Sequence, residues 1–183
     1  MQLLFCSARY IYPLLCSEQA ESSRVVMNSF LSSLELRRSE NALYVRFSGV
    51  HDDYLTARYA EALEQFCQAM QGKAWARIVD LRQWSVTAAQ SQQLMVALLK
   101  QDLTRGLTLE YVLWSADVMG RWQIERTLKS LNVENTDEVF HPTEDENEAL
   151  AGLMEQGFSV NFGAATRYES RCWKVPQTPE PKS

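Results

Sequence analysis

A chain of 183 residues, 46% apolar and 22% charged, is long enough for one soluble globular domain with extra segments at its ends, and its core needs no staples. The net charge is −5, and Arg and Lys are scattered rather than gathered on one face, so no nucleic-acid footprint is expected. Cys6, Cys16, Cys67 and Cys172 form no CxxC pair and have only His51 and His141 as possible companions. That spacing disfavours both a metal site and a disulfide framework, and implies free thiols in a reducing, cytoplasmic setting.

Residues 1–16 are apolar but broken by Arg9 and Pro13, and too short to span a bilayer. No positive side chain precedes their apolar core, as a secretory signal would require. Leu15 is too large for a lipoprotein-type cleavage before Cys16. Residues 1–31 therefore read as a poorly ordered N-terminal extension. Met27 is an alternative start, because organised patterning begins just after it.

Alternation of apolar and polar residues over 34–37 and 43–47, around the turn cluster Ser39-Glu40-Asn41 and up to Gly49, predicts a β-hairpin. Asp52 or Asp53 caps the next segment, where Leu55, Tyr59, Leu63, Phe66 and Met70 recur at helical spacing until Gly72. Residues 78–81 are apolar except for Asp80, as a strand covered on both faces would be. A polar turn should follow. Thr87 with Gln90 then matches a capping box, opening a second helix with Leu94, Met95, Leu98, Leu99 and Leu103 inward and Gly106 at its end.

Residues 109–114 predict another strand. Ser115 or Asp117 would cap a third helix carrying Val118, Trp122, Ile124, Leu128 and Leu131. A brief strand is expected over 138–141. Thr143 with Glu146 suggests a second capping box, for a fourth helix packing through Ala149, Leu150, Leu153 and Met154 up to Gly157. The order ββαβαβαβα calls for one α/β domain over 32–158, with a mixed, mostly parallel sheet of about five strands and four helices. Residues 159–183 read as a tail, proline-rich and disordered at its end, whose stretch 167–175 can dock on the body through Tyr168 and Trp173.

The strand at 43–49, the ARIVDLR strand with its turn at 84–87, the strand LEYVLW and the ending VFHPTEDENEALAGLMEQGF resemble the SpoIIAA-like fold, shared by STAS domains and CRAL-TRIO lipid-binding domains. The ending resembles small bacterial STAS-like proteins. The resemblance spans residues 34–158 and rests on element order and loose motifs. In anti-sigma-factor antagonists of this fold, a phosphorylatable serine opens the helix after the central strand, in a setting like Asp-Ser-Ser-Gly. Here that turn reads Arg82-Gln83-Trp84-Ser85-Val86-Thr87-Ala88-Ala89. The pattern is missing, so the role passes to neither Ser85 nor Thr87, which read as a turn residue and a helix cap.

In open α/β sheets ligands bind beyond the carboxyl ends of the strands. Asp80, Trp84, Ser85, Thr87, Trp114, Ser115 and Asp117 fall near such ends and form the candidate ligand or partner surface, with His51, Asp52 and Asp53 close by. Asp80 beside Trp84 is the place to look first for a pocket. A structural reading stands beside it: Asp80 accepts hydrogen bonds from loop amides, and the tryptophans pack at the sheet margins. No nucleophile elbow, HExxH motif or phosphate-binding glycine loop occurs. Catalytic residues, metal ligands and cofactors are not expected. His51 and His141 would need the fold to bring them together. The acid-rich run 134–148 reads as solvated loop and helix start. The resemblance implies a non-enzymatic cytoplasmic protein-interaction or regulatory module, with an unknown protein partner or self-association and no membrane span. Its alternative is a binding protein for a small apolar or lipid ligand.

Overall fold

The computed structural model describes residues 30–87, 89–114, 126 and 136–172, with side chains over 31–85, 91–114, 126 and 138–170. Its elements are β1 (Phe30–Arg38), β2 (Ala42–His51), α1 (Asp53–Met70), β3 (Trp75–Thr87), α2 (Ala89–Thr104), β4 (Leu107–Leu113), α3 (Thr136–Val139), β5 (Phe140–Thr143), α4 (Glu146–Glu155) and β6 (Thr166–Cys172). Six strands form one sheet in the order β5-β4-β3-β2-β1-β6. β2 to β5 run parallel, and β1 is antiparallel to both its neighbours. This is the mixed, mostly parallel α/β sheet that the alternation predicts, with one strand more.

Period-two alternation sorts the side chains to two faces. On one face Leu34, Leu36, Val45, Phe47, Trp75 and Val79 pack against Leu55, Tyr59, Leu63 and Phe66 of α1, with Met95, Leu98 and Leu99 of α2 alongside. On the other face Ala42, Tyr44, Ala76, Ile78, Leu109 and Leu113 pack against Ala149 and Leu153 of α4. Phe158, Val160 and Phe162 complete that layer. Gly152 lets α4 come close: a Cβ there would stand 2.0 Å from the Tyr111 hydroxyl oxygen.

The first helix forms as expected. The Asp52 side chain accepts from the Leu55 amide at 2.9 Å, and Gln71 and Gly72 end the helix with positive φ. Other expectations need correction. The second hairpin strand does not stop at Gly49 but runs to His51. Gly49 sits at an irregularity with φ +72°, where a Cβ would lie 2.9 Å from Ser32 Oγ. That extra length pairs with the end of β3, so residues 82–87 are strand rather than turn.

The last parallel strand is 140–143, not 138–141, because a short helical turn occupies Thr136–Val139. Asp145, not Thr143, caps α4 by accepting from the Asn147 amide at 2.8 Å. Thr143 ends β5, where its hydroxyl donates to Glu148 and accepts from the Asp145 amide. Met154 points outward instead of packing. Within the expected tail, residues Thr166–Cys172 form β6, with Tyr168 against the α1 side of the core. The side chains of the Thr87–Gln90 capping box and, apart from helical residue 126, the predicted third helix lie outside the described residues.

Candidate functional site

The parallel strands end at one edge of the sheet. His51 closes β2 there, Trp84, Ser85 and Thr87 lie in the last turns of β3, and Trp114 follows β4. Ser115 and Asp117 lie outside the described residues, and of Thr87 only the backbone is described. Of the described residues, His51, Trp84, Ser85 and Trp114 lie toward the same end of the sheet. The strands do not place Asp80 beside Trp84.

Asp80 stands mid-strand on the α4 face, paired in register with Arg46 and Leu113. It is 2% exposed. It accepts from Arg46 Nε at 2.7 Å, Tyr44 hydroxyl at 3.0 Å, Arg82 Nε and Nη2 at 2.9 Å each, and the Arg82 amide at 3.1 Å. Burial alone would raise the pKa of this carboxyl. The bonds from Arg82, Arg46 and Tyr44 prevail and hold it well below the usual carboxylate range. Arg82 continues to Glu146 at 2.5 Å, in the first turn of α4. Burial and the neighbouring Asp80 charge push the Tyr44 hydroxyl up to about 12, so it stays protonated and donating. Only one of these donors is a backbone amide. The expected loop-amide cradle is a guanidinium cradle, and it ties β2, β3 and α4 together.

Trp84 faces the other way and packs, half-buried, against the α1 and α2 core, while Ser85 is exposed. Trp114 is buried, and its amide donates to Thr143 at 3.2 Å. At the same end the starts of α1 and α2 are clamped by Ser91 Oγ donating to Asp53 at 2.5 Å. Tyr54 follows Asp53 and is 48% exposed; Leu94 lies one turn after Ser91 and is 43% exposed. β6 joins the same end through Ser170, whose hydroxyl donates to Asp52.

His51 is 3% exposed, with Phe47 edge-on at 4.6 Å between ring centroids, and neither ring nitrogen has a hydrogen-bond partner. Burial lowers its pKa to about 4 against the pull of Asp52, so the ring is neutral at pH 7. His141 lies on β5, three strands away on the opposite face, against Tyr111 at 5.4 Å. The two histidines form no acid–base pair.

One cluster escapes sequence reasoning altogether. Buried Arg77 of β3 donates to Glu110 of β4 at 2.8 Å, Asp102 of α2 at 2.7 Å and Tyr59 of α1 at 2.5 Å. Burial raises the pKa of both carboxyls; Arg77 opposes the rise in each. Residues 77, 102 and 110 belong to none of the motifs that mark a site in the sequence. Their only sequence signal is phase: 77 shares the parity of Trp75 and Val79, which face α1 and α2.

No family model matches the chain, and no curated protein matches it. Solved structures do. One is an uncharacterized protein of the DUF3478 family with a SpoIIAA-like fold from Shewanella loihica, at 12% identity and TM-score 0.51, covering 73% of this chain and 99% of that one. Another is the anti-sigma factor antagonist SpoIIAA in its unphosphorylated form, at 11% identity and TM-score 0.46, covering 68% of this chain and 99% of that one. Among the described residues no helix is long and apolar enough to cross a membrane, and Cys67 is a free, buried thiol. Element order, sheet topology and the first of these likenesses together give this chain a SpoIIAA-like fold.

Proposed function

We propose that the protein is a non-enzymatic, cytoplasmic regulatory module that binds a protein partner through the carboxyl end of its sheet. The observation that carries this reading is the surface around the Asp53–Ser91 clamp. It holds the starts of α1 and α2 side by side and leaves Tyr54 and Leu94 exposed. Half-buried Trp84 and exposed Ser85 lie at the same end of the sheet. Large apolar side chains on a fixed frame, with a polar rim, are the usual makings of a protein-binding patch. Asp53 at this surface is engaged by Ser91, Asp80 on the other face by Arg46, Arg82 and Tyr44, and the His51 ring is buried away from solvent.

The test is affinity capture from the native lysate with wild type, Trp84→Ala, Leu94→Glu and, as a control on the α4 face, Met154→Glu. A partner recovered by wild type and by Met154→Glu should be lost, or weakened about tenfold or more, with Leu94→Glu. Full recovery by both Trp84→Ala and Leu94→Glu overturns the reading.

A further inference from the structure

On the α4 face one row of side chains runs straight across four strands with alternating sign. Asp80 of β3 pairs with Arg46 of β2, Arg46 with Glu35 of β1, and Glu35 with Arg167 of β6. Directly opposed charges of opposite sign stabilise neighbouring strands, and like charges disfavour pairing. The row ends on a cation at the sheet edge. Two residues on, Glu169 stands beside Ser33 on the same face and bridges to Arg167 at 3.1 Å.

The two sheet edges differ. β5 has four residues, and Pro142 among them lacks an amide donor. β6 has seven residues with no proline or glycine, and among the described residues a strand flanks it on one side only. Such an edge offers a ladder of backbone donors and acceptors to another strand.

We propose that β6 is a self-association edge, pairing antiparallel with β6 of a second copy about a twofold axis at Tyr168. This edge is three strands from β3, which carries Trp84, and the proposal does not depend on the reading above. The charge pattern is self-complementary in that register. With Tyr168 opposite its own copy, Arg167 faces the partner's Glu169, and Glu169 faces the partner's Arg167. The alternating row then continues into the second molecule. A slip of two residues in one direction sets Glu169 against the partner's Glu169, and in the other sets Arg167 against the partner's Arg167. The same two residues therefore select one register and reject its neighbours. Twofold pairing of one patch with itself is the commonest route to a homodimer.

The experiment is sedimentation velocity over a wide concentration range on the full chain, with thermal melts of every variant. Wild type should dimerise. Arg167→Glu and Glu169→Arg should each raise the dissociation constant on the order of thirtyfold, since each turns two attractive pairs into two repulsive ones. An equimolar mixture of the two variants should form a heterodimer, because their charges complement each other across the axis. Arg167 also neighbours Glu35; if Arg167→Glu melts early, Arg167→Gln carries the test with a smaller weakening. A monomeric wild type, or a dimer that neither variant weakens, overturns the proposal. So does a mixture no more associated than its parts.

Discussion

His51 is a buried residue whose titration falls in an accessible pH range. Its ring is buried without a hydrogen-bond partner, and burial holds its pKa near 4 against an ordinary value of 6.5. Well above pH 6.5 the ring is neutral in both folded and unfolded chains and contributes no pH dependence. As pH falls from 6.5 toward 4 the unfolded chain takes up a proton that the folded chain refuses, so stability is lost across that window. The loss by pH 4.5 is about 2–3 kcal/mol. Urea midpoints at pH 7 and pH 4.5 measure it, and His51→Phe, which keeps the edge-on contact with Phe47, should flatten the difference. Asp80 is the opposite case at the same scale. Its oddity in an apolar run is plain from the sequence. Its partners are not, because Tyr44 and Arg46 come from β2 and Arg82 from residues expected to turn away.

Between elements, Arg77 joins β3, β4, α1 and α2 at one buried point. One guanidinium there faces two carboxyls whose pKa values burial raises. The two sides of the cluster should answer mutation differently. Arg77→Met leaves Asp102 and Glu110 buried without their cation and should cost about 3–5 kcal/mol at pH 7. Asp102→Asn removes surplus negative charge and keeps an acceptor, so it should cost little or raise the melting temperature. Denaturant unfolding of both variants decides this; equal losses would show that the carboxylate matters as much as the cation. Helices were the most legible elements, because α1 carries its cap, its apolar stripe and its stop in consecutive residues. Strand ends were the least legible. The backbone of 82–87 looks like a turn in isolation and becomes strand because β2 runs on past Gly49 to meet it.

Over the whole molecule the sheet is closed on the β1 side by β6, which the expected domain limit at residue 158 leaves outside. Its Tyr168 packs on the α1 core and its Ser170 reaches the Asp52 cap. Ending the chain after Gly163 should lower stability by about 2–3 kcal/mol, the worth of one large partly buried side chain plus its bonds. It should also bare the long edge of β1 and raise light scattering on heating. A truncated chain that melts like the full one would show that β6 lies outside the cooperative unit. The sequence by itself determined the order of elements, the parallel core of the sheet and the inward stripe of α1, since these rest on short-range periodicity and capping. Only the tertiary structure decided that Asp80 and Trp84 face opposite ways, that Arg77 is buried with two acids, and that a late polar segment becomes the sixth strand. Each of those depends on what a neighbouring strand or helix, far away in sequence, presents across a few ångströms.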